Sequence, residues 1–466
     1  MAQIPILSGI ATAGADFSTA YPLNLIPVPK VQGISEGYLR PAEGIIKDGE
    51  GPGVDRGGIQ WNGNLYRVMG QELIRIDADG GFSSIGSIAG IEFCTFDYSF
   101  EYLAINNGFA TYLYNGVTLA QITDSDFGLS LDVVWLDGRF VSTDGEFIVV
   151  TELSSPFLVN PLKYGSSEIS PDPIVSLRRL RNEVYALNRF TTEIFDNVGG
   201  TGFPLQRVEG AQIMKGAVGK RAACEFAGMV AFVGGGFNEP PSVWSGVSGN
   251  VQKISTREID DTLSSYPEES LATVVLETRV DRGHEFLYIH LTDKTLVYDV
   301  KASEAMQSPV WFVLRSGVTE QGGYRARGMV WCYGRWNVGD PFGVNFGHLV
   351  TDTGHHYGEF APWEFTTPII YNQGAGAQVH EIELVALTGN IDPDDDPLIS
   401  TQYSIDGKIW SQMKTIRAGK QGERAKRLVW DRQGEFRSWR VQRFVGDSRA
   451  HLSFARLEAQ MEGLTR

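Results

Sequence analysis

Residues 180–199 read LRNEVYALNRFTTEIFDNVG. Apolar and polar residues nearly alternate on both sides of a short polar break at Asn188-Arg189. Val184, Ala186 and Leu187 precede the break; Thr192, Ile194 and Phe195 follow it. Alternation with period two sends successive side chains to opposite faces of a strand, whereas a helix repeats every 3.6 residues. The stretch therefore predicts two antiparallel strands joined by a tight turn.

The same grammar recurs along the chain. WNGNLYRVMGQELIRID (61–77) predicts a hairpin turning at Gly70-Gln71, and VWLDGRFVSTDGEFIVVT (134–151) one around Asp144-Gly145. GMVAFVGGGFNEPPSVW (228–244) sets a glycine-rich loop between two strands. EFLYIHLTDKTLVYDV (285–300) turns at Asp293-Lys294, and residues 327–349 continue the series. Asn-Gly and Asp-Gly pairs suit these turns, because hairpin loops need positive φ. With residues 93–118 and the opening stretch there are about seven such units, spaced by roughly 35–50 residues. Antiparallel repeats of that length predict a β-propeller-like body, with a pair of stacked sandwiches as the runner-up. Residues 257–276 break the pattern and predict a short helix, capped by Ser264 or Ser265 and carrying Glu268 and Glu269 in its first turn.

After about residue 360 the texture changes. VHEIELVAL, LISTQYSIDGKIWSQ, RLVWDR, SWRVQRF and LSFARLEAQM are strands separated by turns. The expected fold is all-β: an N-terminal extended segment over 1–44, a propeller-like body over 45–360, and a C-terminal β-sandwich over 361–466. Trp410 and Trp439 are expected in the sandwich core.

Composition bounds the rest. The chain has 466 residues, 42% of them hydrophobic, enough for a large β domain and a second of about 100 residues. No apolar run approaches the roughly 18 residues of a spanning helix, so no membrane insertion is expected. The N-terminus lacks the basic and apolar regions of a signal peptide, which points to a protein made and kept in a cytoplasm or built into a particle there. Cys94, Cys224 and Cys332 are far apart in apolar settings and read as inert thiols.

The formal charge is −16. Residues 1–407 hold 26 basic and 50 acidic side chains, whereas residues 408–466 hold 14 basic and 6 acidic. The acidic bulk disfavours nucleic acid, whose affinity for proteins comes largely from phosphate neutralisation. The basic end suits an acidic protein surface. Arg424, Lys426, Arg427, Arg437, Arg440 and Arg443 are the candidate interface residues, although a strand's alternation puts only some of them on one face.

The search for chemistry is negative. No phosphate-binding loop, dinucleotide fingerprint or nucleophile elbow occurs. His355 and His356 are adjacent, so a strand would send them to opposite faces. Asp392, Asp394, Asp395 and Asp396 offer oxygen ligands but lack the spacing of a calcium loop, and read as an exposed acidic turn. No catalytic residue, metal or cofactor is expected. The alternatives are a propeller-type glycoside hydrolase, which predicts convergent carboxylates with raised pKa in a central pocket, and a carbohydrate-binding protein, which predicts Trp410 or Trp439 exposed.

Several stretches resemble one family. YPLNLIPVPK (21–30), SEGYLRPAEGI (35–45) and LNRFTTEIFDNVG (187–199) are similar to the packaged-DNA stabilisation proteins of short-tailed bacteriophages, also called tail hub or head-completion proteins. PPSVWSGVSGNVQKISTREIDDTLSSY (240–266) and ETRVDRGHEFLYIHLTDKTLVYDV (277–300) extend the resemblance. PVWFVLRSG (309–317), YRARGMVWCYG (324–334) and KRLVWDRQGEFRSWRVQRF (426–444) carry it to the basic end. The resemblance spans nearly the whole chain, in order. It implies a virion protein assembled in the bacterial host cytoplasm as a homo-oligomeric ring, by resemblance a hexamer. The ring would sit below the portal adaptor ring and hold a tail needle or plug and tailspikes or fibres. Packaged DNA would pass through the lumen without sequence-specific binding.

Overall fold

The computed structural model describes residues 2–13, 16–30, 36–153, 155–200, 202–317, 322–393 and 395–464. The chain is almost entirely strand. It forms two compact units. One comprises residues 47–292 and 325–348, the other residues 1–46, 293–324 and 349–466.

The first unit is a propeller. Glu183–Asn188 pairs antiparallel with Ile174–Leu180 on one side and Thr192–Asn197 on the other, and Leu205–Arg207 completes the sheet. The residues of the opening stretch then divide by parity. Val184 and Ala186 pack against Val134, Val141 and Val150 of the preceding sheet. Tyr185, Leu187 and Ile194 pack against Ala223, Val230 and Phe232 of the following one. All four residues from Val184 to Leu187 are fully buried. A middle strand covered on both faces must be apolar at odd and even positions, which explains why the alternation there is only partial.

Four similar sheets accompany it, beginning with Asp55–Trp61, Thr95–Tyr98, Asp132–Leu136 and Ala223–Phe226. Val275–Asp281 pairs with His284–His290, and Arg327–Cys332 with Arg335–Gly339. The seven leading strands lie side by side in sequence order, and Arg327–Cys332 returns to Asp55–Trp61 to close the ring. The turn after the leading strand repeats a left-handed pair. Asn62-Gly63 has φ of 47° and 77°, and Tyr333-Gly334 has 56° and 73°. Asn-Gly suits this backbone; tyrosine in the same place shows that packing can override turn preference.

The helical break lies earlier than expected. Arg257–Ser264 is a helix with Thr256 at its N-cap, and Ser265 closes it rather than opening one. A second turn, Glu268–Leu271, follows Pro267 and does carry Glu268 and Glu269 at its start.

The second unit is a sandwich. One sheet runs Leu25–Pro29, Gly37–Pro41, Ser453–Gly463, Ala377–Leu387 and Leu428–Asp431. Ala2–Ile4 joins it by pairing with Leu457 to Ala459. The other sheet runs Pro362–Thr366, Trp439–Asp447, Leu398–Ser404 and Lys414–Arg417. Between them Trp363 packs at a tilt on Phe454 at 4.9 Å and Phe365 stacks on Phe444 at 5.1 Å, with Leu25, Leu39 and Trp430 beside them. Trp410 and Trp439, expected in this core, are only half-buried. Trp410 lies under the Arg443 guanidinium, and Trp439 meets the edge of Phe17 at 5.8 Å. Trp363 and Trp430 fill the core instead.

Candidate functional site: the propeller centre and the basic face of the sandwich

The propeller centre is cross-linked by charged groups. Asp132, fully buried in its leading strand, accepts from Thr95 Oγ1 (2.7 Å), Ser176 Oγ (3.0 Å), the Leu177 amide (3.0 Å) and Arg178 Nη1 (2.6 Å). Arg221 Nη1 stands 3.6 Å away. Arg178 in turn donates to the Ala223 carbonyl at 2.7 Å. One carboxylate thus ties four consecutive sheets. Burial alone would push its pKa up, but Arg178 and Arg221 outweigh it and hold Asp132 below the usual carboxylate range.

A second set closes the ring. Arg67 pairs with Asp55 at 2.8 Å and donates to the carbonyls of Gly328 and Arg327. Glu277 accepts from the amides of Gly328 (2.9 Å) and Met329 (2.7 Å), with His290 Nε2 at 2.8 Å. Burial opposes ionisation of Glu277, but His290 and the two amides prevail and lower its pKa.

A cavity of about 340 Å³ at this centre is lined by Asp97, Arg178, Arg179, Glu225 and Glu277 among others. The hydrolase alternative needs a carboxylic acid with raised pKa and an ionised partner there, both free to meet a substrate, whereas Glu277 is taken up by the Gly328 and Met329 amides. Burial raises Asp97, while Glu277 is lowered. Asp97 is also held at both oxygens by backbone amides, from Tyr98 (2.8 Å) and Trp135 (2.6 Å). This is the geometry of a strap between strands. Cys94 and Cys224 line the same cavity; burial pushes their thiols up to about 11 and about 12, away from thiolate chemistry.

The sandwich holds a serine–histidine–aspartate contact. His355 Nδ1 lies 2.6 Å from Ser448 Oγ and Nε2 2.5 Å from Asp392 Oδ2. Ser448 is 5% exposed, and its Oγ also accepts the Ala361 amide at 3.0 Å. With its hydroxyl enclosed and already occupied, the contact fastens loops rather than presenting a nucleophile. His356 diverges from its neighbour as expected and meets Ser316 at 2.7 Å. In the acidic turn, Asp395 faces Arg449 (3.8 Å) and Asp396 faces Arg417 (2.5 Å); Asp394 lies outside the described residues.

The six candidate interface residues separate. Arg424, Lys426 and Arg427 are exposed on the segment leading into Leu428–Asp431, and Arg437 is exposed just after Glu435–Phe436. Arg427 is already engaged, bidentate to Glu383 at 2.8 and 2.5 Å. Arg440 is 1% exposed, which removes it from any surface. Its guanidinium lies 4.1 Å from the Tyr403 ring centre and donates to the Gln433 carbonyl and Gln442 Oε1. Burial pushes its pKa down to about 10. Arg443, on the opposite face of the same strand, pairs with Glu364 at 2.7 Å. The signal for Arg440 was its strand: Phe444, Gln442 and Arg440 share the buried parity of Trp439–Asp447. The buried ions of the propeller left a comparable trace. LDVVWL places one charge inside an apolar strand, and VSLRRL and VLETRV each set two between apolar residues.

A closed ring of antiparallel sheets and a β-sandwich define a two-module all-β protein. The comparisons agree on which one. The bacteriophage P22 Gp10 β-propeller family matches residues 2–354, and the bacteriophage P22 Gp10 β-sandwich family matches residues 362–462. The chain belongs to the bacteriophage P22 Gp10 family. It is similar to the tail hub protein gp10 of Salmonella phage P22, with 28% identity over 469 residues and 95% of each chain covered. Among solved structures, the N-terminal domain of Nup159 matches with 7% identity, covering 66% of this chain and 96% of that one, at a TM-score of 0.39. The Neurospora crassa Pan2 WD40 domain matches with 11% identity, covering 63% and 89%, at a TM-score of 0.37. Likeness at that level carries no functional information.

Proposed function

We propose that this chain is a tail hub of a short-tailed bacteriophage. It forms a homo-oligomeric ring, a hexamer by resemblance, that closes the portal channel after DNA packaging and retains the DNA. On this reading it meets the portal adaptor ring, anchors the tail needle or plug and the tailspikes or fibres, and assembles in the bacterial host cytoplasm. The observation that carries the reading is the ordered match of both family modules together with a tail hub relative along 95% of each chain. The charge balance supports it. Residues 1–407 carry 24 more acidic than basic side chains, a surface that repels phosphate and lets a DNA polymer slide rather than stick. Imaging of the particle tests it: density for this chain as a closed ring on the tail axis is expected, and particles that retain DNA without the chain would overturn it.

Docking of the basic face on an acidic neighbour is part of the same proposal, and it rests on Arg424, Lys426 and Arg437. Such charges steer association and fix its register. Reversal of the three to glutamate is expected to slow assembly and change its salt dependence. Normal assembly by the folded variant would remove the docking role.

A further inference from the structure

A second cavity of the propeller unit, about 520 Å³ in volume, is lined by Lys220, Arg221 and Arg327. Three different strand entries deliver these groups or their surroundings: Lys220 and Arg221 lie just ahead of Ala223–Phe226, Arg327 opens Arg327–Cys332, and Phe93 precedes Thr95–Tyr98. Arg327 lies over the Phe93 ring, 4.8 Å from its centre, and its buried Nε has no hydrogen-bond partner among the described residues. Arg221 donates Nε to the Phe93 carbonyl at 3.0 Å, while its Nη2 has only 3.5 Å contacts with Asn106. Lys220 Nζ donates to the Gly108 carbonyl at 2.9 Å, one of the three bonds an ammonium can give. A Cβ placed on Gly108 would lie 3.3 Å from Lys220 Nζ and 4.0 Å from Arg221 Nη2, so both cations border one small volume of the cavity wall.

Three cations are thus gathered with unused donors in a chain that is acidic overall. Burial lowers the pKa of all three, and Arg221 lowers Lys220 further by repulsion. Asp132 answers Arg221 from behind at 3.6 Å, and Glu92, exposed, is the one carboxylate among the lining residues. Three cationic donors brought together from two strand entries suit an oxyanion that carries more than one negative charge, as phosphate does, better than a singly charged carboxylate.

We propose that this cavity binds a phosphate-class oxyanion through Lys220, Arg221 and Arg327. The site is independent of the tail role.

The test is titration of the full chain with inorganic phosphate, followed by calorimetry, beside a titration with acetate at matched ionic strength. Saturable binding of phosphate is expected. Lys220→Met weakens it at least about tenfold, the loss of one charge-assisted hydrogen bond, and Glu92→Gln tightens it by removing the competing charge. Arg327→Gln abolishes it; because this variant can also fail to fold, the half-buried Lys220 and exposed Glu92 carry the decision, with thermal melting confirming each fold. Absence of saturation at millimolar phosphate overturns the site. So does unchanged phosphate binding in both Lys220→Met and Glu92→Gln, or acetate binding as tight as phosphate.

Discussion

Asp132 Oδ2 stands 2.6 Å from Arg178 Nη1, an ion pair that runs from the third sheet of the propeller to the fourth. The same carboxylate also reaches the second sheet and the approach to the fifth, so its loss leaves buried cations and amides without an acceptor. Asp132→Ala is expected to cost about 3–5 kcal/mol, the range for breaking a buried pair from one side. Urea unfolding of the isolated chain measures it.

Acid should loosen the propeller. Asp132 and Glu277 both ionise more readily in the folded state than in the unfolded chain. Each therefore adds stability that is complete above the unfolded carboxylate pKa of about 4 and is lost as pH falls through the lowered folded value. Melting temperature recorded between neutral and strongly acid pH should fall at the acid end, and Asp132→Asn should flatten that fall. An Asp132→Asn profile parallel to wild type would contradict the assignment.

Arg440 and Arg437 are three residues apart and should behave oppositely. Arg440→Ala removes a buried side chain, its contact with Tyr403 and two hydrogen bonds. The expected cost is about 2–4 kcal/mol. Arg437→Ala, at an exposed position, should stay within about 0.5 kcal/mol. Paired denaturation curves separate the two.

Leu39, near the N-terminus, is fully buried in the sandwich core and faces Phe454 across the sheet. Leu39→Ala should cost about 2–5 kcal/mol, and near-ultraviolet circular dichroism should show the loss through the Trp363 and Phe454 environment rather than through the propeller.

The hairpins were legible because tight turns announce themselves: Gly70-Gln71 turns where its sequence says, with Met69 opposite Glu72. The all-β class and the propeller repeat followed from that local grammar. The tryptophans were not legible, since only the pairing of distant strands decides which of Trp410 and Trp363 is covered. The candidate interface was legible as a cluster of charge but not as a surface. Arg440 and Arg443 belong to a strand whose two faces have different neighbours, and neighbours as far off as Glu364 leave no mark on a linear pattern. Asp132 shows the same limit. Its partners lie up to 89 positions along the chain, at Arg221.

The pairing of Ala2–Ile4 with Leu457 to Ala459 sets a timetable. Ala2–Ile4 finds its place only when Ser453–Gly463 has emerged from the ribosome. Until then Leu25 and Leu39 have no complete core to enter, whereas the five consecutive sheets of the propeller between Asp55 and Lys253 can each form as they are translated. The sandwich therefore cannot close until residues 453–463 have been made. A chain released before that point would display Ala2–Ile4 without its pairing strand.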